Sequence, residues 1–223
     1  MKKFYPVIHC IDPYVQGGIG HALLNARIAY DNSSDGIFLI GHRLAYHELL
    51  FIYDSVRKQF PEKWIGINFL DLPTTKLGLL NSYKEITTDL NALWFDSLPI
   101  GMKISTEVFG GIAFKYRNAN PSDEELKRDC ELAITCTTTA TTSGDKTGEP
   151  PSIEKLQKIK EMLQGKIPLA IASGVGADNI SSFLPYVDSF LVATSITTRD
   201  PNLGNHEYLI PEKVKELAEL IHV

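Results

Sequence analysis

The sequence has little cysteine and no long apolar run, and both absences narrow the classes of protein that it could encode. Its three cysteines, Cys10, Cys130 and Cys136, are an odd number without CxxC spacing. This predicts reduced thiols in a cytoplasmic protein, not a disulfide framework or a zinc site. A run of about 18 apolar residues, which a transmembrane helix requires, does not occur. The N-terminal stretch MKKFYPVIHCID has a short apolar part that reaches Asp12, so we expect no signal peptide.

Basic residues are not in excess either. The chain has 22 Lys and Arg against 27 Asp and Glu, a net charge of −5, so it lacks the basic surface that nucleic-acid binding requires. Hydrophobic residues make up 43% and charged residues 22%, which is typical of a globular protein. No low-complexity linker divides the 223 residues, so we predict one domain over residues 1–223 and leave open whether it forms a homo-oligomer.

Short apolar runs alternate with amphipathic stretches almost from end to end. Ser122 and Ser152 stand where helix N-caps are expected, and Glu125 completes the spacing of a capping box. Eight such strand–helix units predict an α/β fold of the (β/α)₈ TIM-barrel class, with a doubly wound open sheet as the alternative. The predicted strands are 5–11, 36–40, 64–69, 92–95, 109–115, the threonine run from 137, 168–172 and 189–193. The predicted helices are 18–30, 44–59, 74–86, the one from 122 through 134, 153–163, 177–184 and 211–221, with a short helical turn at 104–107.

In a (β/α)₈ barrel the residues that follow each strand face the site. His9 could equally be a histidine of the core, and Asp12 and Asp71, each close to a proline, could set turns instead. The polar or glycine residues at the eight strand ends are His9 and Asp12, His42, Asn68 and Asp71, Asp96, Lys115, Thr142 with Ser143 and Gly144, Ser173 with Gly174, and Thr194 with Ser195.

The last two strand ends predict an anion site. Barrels that bind phosphate often do so with the loops after strands seven and eight. Glycine in the segment 173–176 lets backbone amides approach an oxyanion, and the segment 193–195 could open a short helix with free N–H groups. We therefore predict phosphate binding by five residues, while SGVG could also be an ordinary tight turn. The five are Ser173, Gly174, Gly176, Thr194 and Ser195.

The sixth loop, TSGDKTGEPP, would lie beside that anion site. Its hydroxyls can donate to ligand oxygens, and Gly144 and Gly148 would let the loop fold over a ligand. The loop is not a nucleotide-binding P-loop, because it lacks the GxxxxGK[ST] pattern. This composition favours a loop that covers an oxygen-rich ligand.

Three stretches of the sequence resemble the BtpA family of barrel proteins. They are TSGDKTGEPPSIEKLQKIKEML, PLAIASGVGADNISSFLPYVDSFLVATSI and ALWFDS. The opening VIHCIDPYVQGGIGHALLNARIAYDNSSDGIFLI is similar as well, so the resemblance covers nearly the whole chain. The resemblance implies a TIM barrel of the phosphate-binding group. It implies little about the reaction, and the family's name, which comes from a member linked to photosystem I biogenesis, supports an assembly factor as the alternative to an enzyme.

We expect an enzyme acting on a phosphorylated small molecule, a sugar phosphate or phosphoribosyl compound; the alternative is a non-catalytic binding or assembly factor. Asp12 or Asp96 would be the general acid or base, and Lys115 an electrophile or Schiff-base nucleophile, unless Lys115 only pairs with Asp96. No cofactor is expected, and no metal, since His9, Asp12, His42 and Asp96 lack ligand spacing. The expected substrate contacts are His9, His42, Asn68, Thr142, Ser143 and Gly144.

Overall fold

Eight parallel strands close into a barrel in a computed structural model of the chain, which describes residues 1–70, 89–102, 104–200 and 206–223, without the side chain of Asp200. The strands pair in sequence order, and β1 closes the barrel against β8, with Lys3 opposite Ser189 and Pro6 opposite Val192. The predicted (β/α)₈ fold is confirmed, and the open-sheet alternative is wrong. The strands are β1 (Lys3–His9), β2 (Ile37–Ile40), β3 (Ile65–Asn68), β4 (Ala92–Phe95), β5 (Glu107–Gly111), β6 (Thr139–Thr142), β7 (Leu169–Ala172) and β8 (Ser189–Val192).

The helices lie outside the barrel, and two of them begin where the sequence places an N-cap. The Ser122 side chain accepts a hydrogen bond from the backbone N–H of Glu125, whose carboxylate accepts from the N–H of Ser122, and Ser152 caps its helix in a similar way. The predicted helix 74–86 and Asp71 lie outside the described residues. The described α-helices are α1 (Gly18–Asp31), α2 (Tyr46–Gln59), α3 (Asp123–Cys136), α4 (Ile153–Leu163), α5 (Ile180–Phe183) and α6 (Pro211–Ile221).

Aromatic rings fill the inside of the barrel, and a second apolar layer joins the strands to the helices. The ring of Phe38 lies 5.1 Å from that of Phe109 and 5.6 Å from that of Trp94, measured between centroids. Gly66 on β3 makes room for Phe38, because a Cβ atom there would overlap the phenyl ring. The filled interior leaves the C-terminal ends of the strands as the place for a cavity.

Several element boundaries differ from the sequence expectations. Strand β5 ends at Gly111, not at Lys115, because the backbone turns at Ala113, which has φ of 45°. The expected helical turn at 104–107 is wrong, since Glu107 already begins β5. Helix α5 has only four residues. After a 3₁₀ turn at Thr194–Ile196, the chain forms an unpredicted antiparallel hairpin of β9 (Thr197–Asp200) and β10 (His206–Leu209).

Candidate functional site

A cavity of about 570 Å³ opens at the C-terminal ends of the barrel strands. Val7, Ile40 and Trp94 give it an apolar floor, and polar groups from the following loops form its walls. The structure brings together nine of the residues that the sequence singles out for the site. These are His9, His42, Asp96, Lys115, Ser173, Gly174, Gly176, Thr194 and Ser195.

Asp12 does not join this group. Its side chain is exposed and outside the cavity lining, and its Oδ1 accepts a hydrogen bond from the backbone N–H of Tyr14 at 2.8 Å. A carboxylate that bonds two residues ahead in this way forms an Asx turn. The structure therefore corrects the expected convergence of Asp12 with Asp96 and Lys115, in favour of the turn that the neighbouring proline also suggested.

Four other predicted substrate contacts lie outside the cavity lining and hold its walls instead. Asn68 is buried, and its amide donates to Asp96 Oδ1 at 3.1 Å. Thr142 Oγ1 donates to the carbonyl of Ala113, while Ser143 Oγ accepts from the backbone N–H of Lys115 at 2.8 Å. Gly144 packs so closely on the backbone of Glu149 that a Cβ atom would overlap it. The first three support the loops after β4 and β5, and Gly144 packs within the loop after β6. Their contact with a ligand stays a prediction.

Asp96 and Lys115 face the same cavity from neighbouring strand ends. Burial raises the pKa of the Asp96 carboxyl above its usual range, although the Asn68 amide and the Lys115 ammonium oppose this shift. Burial likewise lowers the pKa of Lys115, against the opposing effect of Asp96. Both shifts have the same main cause, burial, and each favours the uncharged form of its group.

The loops after β7 and β8 offer backbone donors to the cavity. Within the described parts of the chain, no acceptor contacts the N–H groups of Gly174, Val175, Thr194 and Ser195. The Ser195 side chain is already engaged, because its Oγ donates to the carbonyl of Val175 at 2.5 Å. The N–H of Gly176 donates to Asn179 Oδ1 at 2.9 Å. The free amides, together with the exposed Thr194 hydroxyl, are the groups with which these loops could bind an anion.

Gly174 couples the seventh loop to the sixth. It has φ of 64°, a left-handed conformation that strains other residues, and a Cβ atom would overlap backbone atoms of Glu149 and Pro150. Ser173 Oγ adds a hydrogen bond from the N–H of Gly148 at 3.0 Å. The sixth loop thus packs on the seventh, and Thr147, Gly148 and Pro150 reach the cavity lining.

Gly174→Val is therefore expected to destabilise the protein by about 2 kcal/mol or more, from left-handed strain and overlap with the sixth loop. Urea unfolding followed by tryptophan fluorescence would measure this loss. Gly148→Val is a matched comparison, because Gly148 also has positive φ, 84°, but open space around its Cβ position. An equal loss in both variants would show that backbone strain alone, without the contact between loops, decides the effect.

Sequence reasoning missed three polar contributors to the cavity and its surroundings. Arg117 and Tyr116 line it from the loop after β5, and the Tyr116 hydroxyl lies 3.3 Å from Thr147 Oγ1 of the sixth loop. Glu207 on β10 binds His9, 198 residues away, with 2.5 Å between Oε2 and Nδ1. Arg117 stands two residues after Lys115 in the sequence, and this closeness could have pointed to it. No local pattern connects Glu207 with His9.

Two absences concern metal binding and membrane insertion. Within the described segments, no group of three or more His, Cys, Asp or Glu residues is arranged to hold a metal ion. The helices in those segments include none with the length and apolar character needed to cross a membrane.

Solved structures similar to this one are TIM barrels of low sequence identity, so the likeness concerns the fold. Phosphoribosyl anthranilate isomerase from Thermotoga maritima has a TM-score of 0.66 and 11% identity, covering 100% of this chain and 99% of its own. Tryptophan synthase subunit alpha from Legionella pneumophila str. Paris has a TM-score of 0.59 and 11% identity, covering 99% and 93%. KGPDC from Streptococcus mutans has a TM-score of 0.61 and 12% identity, covering 100% and 98%.

Sequence comparison identifies the family more directly. No curated protein matches the chain. The model of the BtpA family matches residues 102–223, more than half of the chain, and this range contains the loops after β5 to β8. The stretches VIHCIDPYVQGGIG and ALWFDS precede the matched range, so the resemblance noted there remains a prediction. The match confirms the resemblance seen in the sixth, seventh and eighth loops, and the chain belongs to the BtpA family.

Proposed function

We propose that this protein is an enzyme acting on a phosphorylated small molecule, a sugar phosphate or a phosphoribosyl compound. The phosphate binds the loops after β7 and β8, and the rest of the substrate extends toward Asp96 and Lys115. One observation carries the proposal: free backbone amides, a partly buried carboxyl group and a partly buried lysine line a single cavity of about 570 Å³. That volume is within the range of small-molecule sites.

The charges around the cavity support an anionic ligand. Lys115 and Arg117 lie in its wall without an ion-pair partner among the described residues, so a phosphorylated substrate would bring the compensating charge. Asp178 is the opposing group near the proposed phosphate position, but its side chain is exposed, and solvent and salt weaken its repulsion. The amides at the start of the 3₁₀ turn add partial positive charge on the same side.

The solved structures lend support of a general kind. One has the name phosphoribosyl anthranilate isomerase, which specifies a phosphoribosyl substrate, and its barrel covers the whole of this chain. In barrels that bind phosphate, the loops after strands seven and eight often form the binding site. The free amides of this chain occur in those same two loops. Fold likeness alone does not decide the reaction.

The proposed phosphate position is tested by Thr194→Glu, with Thr194→Gln as its uncharged match. Thr194 is exposed at the first position of the 3₁₀ turn and lines the cavity, so neither side chain should disturb the fold. We expect Thr194→Glu to weaken binding of ribose 5-phosphate and inorganic phosphate by about 100-fold, because a carboxylate would compete for the amides and repel the anion.

Isothermal titration calorimetry of both variants and the unchanged protein measures this effect. Thr194→Gln should retain most of the affinity, and ribose without phosphate should bind none of the three proteins. Equal affinity for phosphate in Thr194→Glu and Thr194→Gln would place the anion elsewhere and refute the assignment.

A further inference from the structure

His9 and Glu207 form a carboxylate–imidazole pair at the wall of the cavity. His9 is the last residue of β1 and lines the cavity beside the loop after β8, the strand that pairs with β1. Its Nδ1 lies 2.5 Å from Oε2 of Glu207. A carboxylate only accepts, so the hydrogen between them belongs to Nδ1, and in the neutral form of the ring the lone pair is on Nε2.

Glu207 is held in place from three directions. Its other carboxylate oxygen, Oε1, accepts from Arg199 Nη2 at 3.0 Å, directly across the β9–β10 hairpin. Its backbone carbonyl accepts from Nε2 of the buried His21 at 2.6 Å. The buried Asn25 accepts from the N–H of Leu209 at 2.7 Å, which fixes the same strand to α1. These contacts position the carboxylate before any ligand arrives.

The charges support the same role. Hydrogen bonding to His9, together with Arg199, lowers the pKa of Glu207 to about 2, so this carboxylate is charged at neutral pH. The other titratable groups near the His9 ring are His42, 5.0 Å away between ring centroids, and His21. Burial, with His9 and Lys115, lowers the pKa of His42, which favours the uncharged form of that neighbour. In the described part of the chain, no group contacts Nε2 of His9 by a hydrogen bond.

We propose that His9 is a catalytic base of this site, which takes a proton from a carbon next to a carbonyl group of the phosphorylated substrate. Glu207 is its positioning residue. The proposal rests on the function proposed above. The C–H bond breaks, the proton moves to Nε2, and the electron pair moves to the carbonyl oxygen, where the Lys115 ammonium would stabilise the enolate. Return of the proton from the imidazolium to a carbon atom of the enolate completes the transfer.

This assignment gives β1 the base that Asp12 does not provide. His9 belongs to β1, while Asp96 and Lys115 follow β4 and β5 on another part of the barrel rim. A substrate held by its phosphate at β7 and β8 would therefore meet a base on one side and a stabilising cation on the other. Such a division of roles between separate groups is a general feature of proton-transfer sites.

Two measurements on the full chain test the pair. In ¹⁵N NMR spectra of histidine-labelled protein near neutral pH, Nδ1 of His9 should carry the hydrogen and Nε2 should be unprotonated, and Glu207→Gln should weaken this preference. In D₂O, the protein should exchange the α-hydrogens of ribose 5-phosphate or ribulose 5-phosphate for deuterium, and Glu207→Gln should slow this exchange about 100-fold. His9→Gln should slow it at least as much, and the double variant no more than His9→Gln alone.

The matched control is His47→Gln, on the exposed side of α2 and outside the cavity lining, which should leave exchange unchanged. All variants should still bind inorganic phosphate. If the unchanged protein did not bind phosphate, that result would refute the proposed function and not the His9–Glu207 pair. A hydrogen on Nε2 of His9, or no exchange of either sugar phosphate by a protein that binds phosphate, would overturn the catalytic role of His9.

Discussion

Lys115→Met is expected to abolish turnover while changing ligand affinity by no more than about tenfold. The side chain interacts electrostatically with the partly buried Asp96 and lines the cavity, whereas only its backbone N–H supports the neighbouring loop through Ser143. Methionine has a similar length and keeps that backbone contact, so the variant removes the charge and little else. Loss of a group that stabilises developing charge costs about 100-fold to 1,000-fold in rate.

The measurement begins with a thermal-shift screen of phosphorylated metabolites, followed by turnover assays on any compound that raises the melting temperature. Lys146→Met is the matched control, since Lys146 is exposed in the sixth loop and pairs only loosely with Glu149, at 3.7 Å. If Lys115→Met changed the ligand affinity but affected no reaction, the protein would be a binding or assembly factor. The same conclusion would follow if no phosphorylated metabolite shifted the melting curve.

Lys155→Met is expected to lower the free energy of unfolding by about 3 kcal/mol. Lys155 lies in the first turn of α4. Its Nζ donates to three backbone carbonyls, those of Ala113 at 2.6 Å, Ser143 at 2.7 Å and Ala119 at 2.8 Å. Methionine would remove the ammonium from all three partly buried carbonyls, of which that of Ala113 would keep the Thr142 hydroxyl as a donor. Because two of them belong to the loop that carries Lys115, the variant should also disturb the position of that lysine.

Urea unfolding is the direct measurement, and Lys158→Met provides the comparison. Lys158 lies one turn further along α4, and its ion pairs with Asp123 and Glu154 are exposed, so its loss should cost less than about 1 kcal/mol. Similar losses in the two variants would contradict a special role for the three carbonyls. A normal unfolding curve for Lys155→Met would show that water replaces the ammonium at this position.

The elements that the sequence predicted best are those whose signals are local. Helices α4 and α6 begin and end where the sequence places them, because Ser152 supplies a cap and Pro211 fits only the first turn of a helix. The strands are less sharply bounded, since hydrogen bonding to neighbours decides where each one ends. Lys115 illustrates the difference: an apolar run reaches it, but the ladder of β5 ends at Gly111.

The sequence by itself determined the barrel, the loops that form the cavity wall and the presence of His9, Asp96 and Lys115 at or after the C-terminal ends of their strands. These features follow from the hydrophobic periodicity of each segment and from the order of the strands along the chain, and both can be read from the sequence. Only the tertiary structure decided that Asp12 turns away, that Asn68 supports Asp96, and that Glu207 reaches His9 across 198 residues. Such contacts join segments distant in the chain, and side-chain geometry, not residue type, determines which polar groups remain free to meet a ligand.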